Sequence, residues 1–346
     1  MKRVARGAVG VLALVALLAG CGGTTPAAPP TLSAASPSAA SPSAEPTTIR
    51  IASLKGPTTM GLVELMDKAA SGEGKQDYQV TMYGTPDEVV PLIVQGEADV
   101  ALIPANLAAV LYNRTLGDDG AQIQVAAINT LGVLEILESG DPVHSIADLA
   151  GRTIYASGKG ASPEYVLNYL LRSNGLDPAT DVTVEYRSEH TEVAALLAST
   201  PGAIAMLPQP FATVVKTQSP AVRTALNLTD EWTKVTSASQ MVTGVVVVRT
   251  AFVEEHPDAF ADFLTDYKAS TEFTNDHPAE AAVLIADAGI VPAVPIAEAA
   301  IPASYVTYID GAELKSTFSG YLQVLFDADP ASVGGSMPGD DFYFSR

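Results

Sequence analysis

From Thr48 onward, apolar positions recur along the chain at two spacings. Short runs such as Thr48-Ile49-Arg50-Ile51-Ala52-Ser53-Leu54 favour β-branched residues and alternate, whereas stretches such as Met60 to Ala70 repeat every three to four residues. The first period marks half-buried strands and the second marks amphipathic helices. The pattern predicts a strand over 48–54, a break at Lys55-Gly56-Pro57-Thr58-Thr59 and a helix over 60–70. A strand over 78–83, a helix over 86–95, a strand over 98–103 and a helix over 106–113 follow. Beyond a strand-like stretch over 125–136 the same logic returns. Ser145 is placed to cap a short helix, and then come a strand over 153–156, a Gly-rich loop over 157–162 and a helix over 163–174. A strand over 182–186, a helix over 192–198 and a strand over 203–207 complete the unit, which runs into Pro208-Gln209-Pro210. The run over 240–249 is strongly β-prone around Val245-Val246-Val247-Val248, and only helical patterns are expected after it.

Strands alternating with helices predict an α/β architecture, and about 300 residues are enough for more than one core. A chain that leaves the first unit near Asn129 and returns near Met241 makes two connections, which is a hinge and not a single linker. Lobe 1 is therefore expected over 48–130 and 240–346, and lobe 2 over 131–239.

The first 20 residues follow a different rule. Lys2, Arg3 and Arg6 precede an apolar run over 8–19 that is shorter than the roughly 20 residues a spanning helix needs, as in an export signal. Cys21 is the only cysteine, which rules out an internal disulfide. Leu18-Ala19-Gly20-Cys21 resembles the bacterial lipoprotein box, and that resemblance implies lipid on Cys21 and an anchor on the outer face of the cell membrane. A leftover cysteine behind an ordinary secretory signal is the alternative. Over 21–47 the chain is almost entirely Gly, Thr, Pro, Ala and Ser, the composition of a disordered tether.

Charge narrows the partners. The formal net charge is −20, and it is more negative by three once the basic leader residues are gone, which argues against nucleic acid. Among His144, His190, His256 and His277 no pair has the i, i+3 or i+4 spacing of a helical metal pair, so neither a metal site nor a cofactor is expected. Ser157 to Ser162 lacks the spacing of a Walker loop, and no nucleophile motif is present.

Three stretches together carry a family likeness. They are Leu149-Ala150-Gly151-Arg152-Thr153-Ile154 with Gly158 to Tyr165 and Asn174-Gly175-Leu176-Asp177-Pro178; Glu192 to Ala198 with Ala203 to Ala212; and Gln95-Gly96-Glu97-Ala98-Asp99-Val100-Ala101. In this order the chain resembles the nitrate/sulfonate/taurine (NMT1/THI5-like) group of ABC-importer substrate-binding proteins. The resemblance implies the type II periplasmic-binding-protein fold, two α/β lobes joined by a two-segment hinge with a ligand cleft between them. It further implies a small-molecule ligand, a permease partner with a separate cytoplasmic ATPase, and a monomer without enzymatic activity. A ligand sensor or surface lipoprotein on the same fold, or a pyrimidine-precursor enzyme, are the alternatives. Gln209 stands where many relatives carry an acidic residue.

In open α/β sheets ligands sit outside the carboxyl ends of the strands, independently of any family. That rule selects Lys55, Thr58, Thr59 and Met60 after the first strand, Gly84 and Thr85 after the second, and Asn106 after the third. In the second lobe it selects Ser157, Ser162, His190 and Gln209, with Lys159 in the same loop as Ser157, and Thr243 lies on the returning segment. The breaks at Gly56-Pro57-Thr58-Thr59 and Gly160-Ala161-Ser162-Pro163 put hydroxyls and free amides at helix starts, where an acidic ligand group is favoured. The same hydroxyls are equally placed to cap their own helices, and Met60 equally belongs to a buried helix face with Leu62, Val63 and Met66.

Overall fold

The computed structural model describes residues 45–118, 120–237 and 239–345. The export signal, the lipidation of Cys21 and the tether up to Ala44 lie outside the described residues.

Among the described residues eleven strands form two sheets. The first sheet holds β1 (Thr48–Leu54), β2 (Asp77–Tyr83), β3 (Val100–Pro104), β4 (Ile123–Thr130), β10 (Gly244–Arg249) and β11 (Val306–Ile309), in the order β11-β4-β10-β3-β1-β2. The second holds β5 (Leu134–Glu138), β6 (Thr153–Ser157), β7 (Thr183–Arg187), β8 (Ile204–Pro208) and β9 (Arg223–Asn227), in the order β7-β6-β8-β5-β9. In the first sheet β1 pairs in parallel with β2 and β3. In the second, β6 pairs in parallel with β7 and β8. Each sheet thus reverses its winding beside its first parallel strand, and the loops leaving either side of that strand diverge. A crevice opens there for geometric reasons alone. The antiparallel strand β10 lies between β3 and β4, and β5 lies between β8 and β9.

Local chemistry accounts for the helix boundaries that frame the crevice. The helix Pro86–Gln95 starts at a capping box of Thr85 and Glu88 with proline in its first turn, and stops at Gly96, whose φ of 74° is left-handed. Ser145 caps the 3₁₀ turn Ile146–Leu149 through a second capping box with Asp148. The Gly96-Glu97-Ala98-Asp99 stretch has a packing purpose. Asp99 is buried and its carboxylate binds Arg50 at 2.6 Å and Arg249 at 3.1 Å, which ties the starts of β1 and β3 to the end of β10. Burial alone would raise this carboxyl, but hydrogen bonds from the Arg50 side chain and backbone and from Arg249 outweigh it and hold Asp99 below the usual range.

Three sequence expectations are corrected. The stretch read as strand-like over 125–136 is two strands in different sheets, β4 and β5, because the chain crosses at Leu131–Val133. A side chain at Gly132 would run into Thr229 and Met241, so only glycine lets the backbone pass at this point. The region after β10 is not wholly helical, since β11 closes the edge of the first sheet beside β4. β9 was not anticipated at all. Its residues are mostly half-buried, so the strand carries little apolar alternation to read.

An apolar cluster runs from Val89, Ile103 and Ile128 of the first sheet's layers to Ile136, Leu170 and Trp232 of the second's. The C-terminal helix Gly311–Ala328 supplies the join. Its Tyr321 ring lies 5.5 Å from fully buried Trp232, which lies 4.9 Å from Tyr169. Among the described residues no helix is long and apolar enough to cross a membrane.

Candidate functional site

A cavity of about 540 Å³ opens at the carboxyl ends of the parallel strands. β1 contributes Leu54 and Lys55, the β2 loop contributes Gly84 to Asp87, and the segment after β3 contributes Pro104 and Arg114. From the second sheet come Ser157 to Ala161 after β6, and Arg187, Glu189 and His190 at the end of β7. The loop after β8 is not among the lining segments.

The sequence-predicted residues divide cleanly. Lys55, Gly84, Thr85, Ser157 and His190 line the cavity, whereas Thr58, Thr59, Met60, Asn106, Ser162, Gln209 and Thr243 do not. Each of the second group is engaged elsewhere. The Thr58 and Thr59 hydroxyls donate to the Leu54 carbonyl at 2.9 and 2.6 Å. Met60 is fully buried against Ala281, Ile285 and Ile301. Asn106 is fully buried, and its amide donates to the carbonyls of Gly160 and Ser332 at 3.3 and 3.0 Å while its Oδ1 accepts from Ser162 at 3.1 Å. These bonds tie the loop after β3 to the loop after β6. The Thr243 hydroxyl donates to the Leu131 carbonyl at 2.5 Å, between the two crossing segments. Gln209 belongs to a buried network around Glu135.

Some of the amides in these loops are already bonded to carboxylates. Gly84 and Thr85 donate their N–H groups to Glu88 Oε2 at 3.1 and 3.0 Å, and Gly160 donates to Glu164 Oε2 at 2.6 Å. At Gly160, one of the two breaks where the dipole argument placed a ligand's acid group, the chain's own Glu164 carboxylate takes the amide. Charged side chains also line the cavity.

Those side chains are mostly cations. Lys55, Arg114, Lys159 and Arg187 all line the cavity, against the carboxylates of Asp87 and Glu189. Among the described residues Lys55, Arg114 and Lys159 make no ion pair, while Arg187 pairs with half-exposed Glu185 at 3.0 Å. The Lys159 ammonium lies 5.9 Å from the Tyr186 ring centre, and the Arg187 guanidinium lies 5.4 Å from that of Tyr155. Sequence reading passed over Arg114 and Arg187. Arg114 falls just past the expected helix over 106–113 and Arg187 just past the expected strand over 182–186. An excess of lysine and arginine near strand ends in so acidic a chain was the available signal.

His190 and Ser157, 33 residues apart, meet at the cavity wall with Nδ1 and Oγ 2.5 Å apart, and the imidazole packs on Phe211 at 5.1 Å. Burial pushes the His190 pKa down to about 4, so the ring is neutral at physiological pH. Burial likewise raises the Tyr165 hydroxyl, with Glu164 and Asp329 adding to the effect, so the phenol faces the cavity protonated. Among the described residues no group of three or more His, Cys, Asp or Glu is placed to hold a metal ion.

The family model described as NMT1/THI5 like matches residues 79–281. No curated protein matches the chain. Among solved structures, an ABC transporter from Parabacteroides distasonis is 21% identical with a TM-score of 0.69, over 87% of this chain and 99% of that one. The alkanesulfonate-binding protein SsuA from Xanthomonas axonopodis pv. citri, bound to MOPS, is 15% identical with a TM-score of 0.66, over 86% and 96%. The periplasmic nitrate-binding protein NrtA from Synechocystis PCC 6803 is 12% identical with a TM-score of 0.62, over 84% of each chain. The fold is that of these periplasmic binding proteins.

Proposed function

The chain belongs to the NMT1/THI5-like family, and from that premise we propose that it is an extracytoplasmic solute-binding protein that captures a small organic anion and delivers it to the permease of an ABC importer. The observation that carries this reading is the charge of the cavity. In a chain with 39 acidic and 19 basic residues, Lys55, Arg114, Lys159 and Arg187 converge on one cavity, and among the described residues the first three make no ion pair. A cleft's local field can oppose the charge of its protein, and here it favours an anion. The sulfonate and nitrate named for the solved relatives are anions as well. In this reading 48–130 with 240–346 form one lobe and 131–239 the other. They hinge at the crossings around Leu131–Val133 and Met241–Thr243, so that closure brings the two sets of loops onto the ligand. Lipid on Cys21 behind a cleaved signal holds the protein at the membrane, and mass spectrometry of the mature N-terminus tests that element.

The ligand is tested by melting the protein against sulfonates, nitrate, carboxylates, pyrimidines and amino acids. A ligand that binds only the folded state stabilises it by about 2.7 kcal/mol at 100-fold above Kd. A saturable shift with one anion class, lost in a Lys55→Gln, Arg187→Gln double variant, supports the reading. A shift only with neutral or cationic compounds overturns it.

A second reading, hydrolysis by Ser157 and His190, has the 2.5 Å contact in its favour. A general base works best with a pKa near the operating pH, and burial holds this imidazole at about 4. Among the described residues no carboxylate hydrogen-bonds to the ring to orient it. Failure of Ser157 to be labelled by a serine-directed phosphonate would remove this reading.

A further inference from the structure

Asn106 falls where the strand-end rule places a ligand contact, yet it stands behind the cavity wall. It is fully buried at the start of the helix Ala105–Thr115, and so are its partners Ser162 and Ser332. Its backbone N–H donates to Ser162 Oγ at 3.3 Å, its side-chain amide donates to the carbonyls of Gly160 at 3.3 Å and Ser332 at 3.0 Å, and its Oδ1 accepts from Ser162 at 3.1 Å. One uncharged side chain thus joins the loop after β3, the loop after β6 and the turn that follows the C-terminal helix.

Each of these segments borders the cavity. Leu107 and Arg114 of Asn106's own helix line it, as do Gly160 and Ala161 beside Ser162, and Ala331 beside Ser332. The loop after β6 needs an outside hold. Gly158 and Gly160 are both left-handed, with φ of 77° and 75°, and glycine adds no side chain to restrict the other conformations open to the loop. The opposite rim of the cavity is in contact without being tied. A side chain on Gly84 would meet the Glu189 carboxylate at 2.9 Å, but the Gly84 N–H donates to Glu88 and the Glu189 carboxylate accepts from Thr191, each within its own loop.

We infer that Asn106 is a positioning residue: without touching the ligand it sets the distance between the first-sheet and second-sheet walls of the cavity, and through that distance the affinity. This rests on the reading of the cavity as the ligand site. A binding site is held to its working geometry by the hydrogen bonds behind its lining segments. Removing this side chain leaves the Gly160 and Ser332 carbonyls without their donor and the buried Ser162 hydroxyl without its acceptor, and unpaired polar groups favour parting of the segments so that water reaches them.

The test uses the full mature chain purified in detergent, with Asn106→Ala as the junction variant, Ser162→Ala as a milder one that serves if the first does not fold, and Asn113→Ala as the control. Asn113 lies further along the same helix and holds the same C-terminal turn, donating to the carbonyls of Val333 and Ser336 at 2.8 and 2.7 Å, but its bonds do not reach the loop after β6. Wall separation is read without ligand by linking exposed Lys55 of the first wall to exposed Lys159 of the second with amine-reactive spacers of graded length, followed by mass spectrometry of the linked peptides. The junction variants are expected to lose most of the yield of the shortest spacer that links the wild type and to regain it with a longer one, while Asn113→Ala keeps the wild-type profile. Affinity is read calorimetrically with ethanesulfonate, nitrate, acetate and uracil, and whichever binds the wild type should bind Asn106→Ala about tenfold more weakly. Emission of Trp232, the chain's one tryptophan, fully buried against Tyr169 and Tyr321, should stay unchanged and show that the neighbouring aromatic join is intact. An unchanged linking profile in the junction variants, an equal change in Asn113→Ala, or an unchanged affinity in a variant whose walls have parted overturns the inference. If uracil alone binds, the anion reading falls while the same comparison made with uracil decides this one, and if none of the probes binds the wild type the linking profile decides it.

Discussion

The side-chain amide of Gln209 donates to Glu135 Oε1 across 2.7 Å, and both residues are buried. Each makes further hydrogen bonds. Glu135 Oε2 accepts from the Thr224 hydroxyl and from Lys216, and Gln209 Oε1 accepts from the Thr213 amide and hydroxyl. The position where relatives were expected to carry an acidic residue thus holds a neutral partner for a buried carboxylate.

An acid at 209 would set two carboxylates against each other out of water. Gln209→Glu is expected to destabilise the protein by about 2 kcal/mol at pH 7, and part of the loss should return near pH 5 as the pair takes up a proton. Urea unfolding at the two pH values measures this. Because Gln209 does not line the cavity, ligand affinity of the folded fraction should be little changed.

Asp99 neutralises Arg50 and Arg249 from a buried position. Asp99→Ala leaves two guanidinium groups without their carboxylate, and since Arg50 is half-exposed the expected cost is about 2–3 kcal/mol, below that of a fully buried pair. The folded-state pKa of Asp99 lies below its unfolded value, so its contribution is present at neutral pH and is lost as pH falls through and below the usual carboxylate range. Acid unfolding of the wild type should therefore be steeper than that of Asp99→Ala.

His190 has linkage of the same sign, at higher pH. Its pKa drops from an ordinary 6.5 to about 4 on folding, so between those values the unfolded chain binds the extra proton. Stability is expected to fall as pH drops from about 6.5 to 4 and then to level off, with an upper bound of about 3 kcal/mol. His190→Gln should flatten this part of the profile in thermal melts. An unchanged profile would mean that the imidazole is solvated in the folded protein.

Gly84 lies so close to Glu189 that an added Cβ would sit 2.9 Å from its carboxylate oxygen. The obstacle is the end of an exposed, flexible side chain. Gly84→Ala is therefore expected to cost less than about 0.5 kcal/mol of stability. It displaces one of the cavity's two carboxylates, so its effect should appear as a severalfold change in anion affinity with an almost unchanged melting temperature.

Much of the first sheet and of the second sheet's parallel strands was legible because strand and helix periods, capping residues and glycine stops are local properties. The helix Pro86–Gln95 shows this, with its cap at Thr85 and its stop at Gly96. The place where the chain leaves the first sheet was read close to Asn129, but the break that splits 125–136 into β4 and β5 was not, since a continuous β-prone run does not show where one strand ends and the next begins. β9 and β11 were missed because their residues are only partly buried and alternate weakly.

For the site, the strand-end rule reached the right loops and could not choose within them. Lys55, Gly84, Thr85, Ser157 and His190 face the cavity, while Asn106, Ser162 and Gln209, in equivalent positions along the chain, turn to partners 56 to 226 residues away. The sequence by itself determined the alternation of strands and helices, the ends at which a ligand site forms and the acidic character of the chain, because each depends on neighbouring residues or on composition. Only the tertiary structure decided that Arg114 and Arg187 join Lys55 and Lys159, that Ser157 meets His190, and that Glu88 and Glu164 take the amides of Gly84 and Gly160. The physical reason is that a side chain's partner is set by strand order and register between segments far apart in sequence, and a buried polar group takes whichever partner that packing brings within reach.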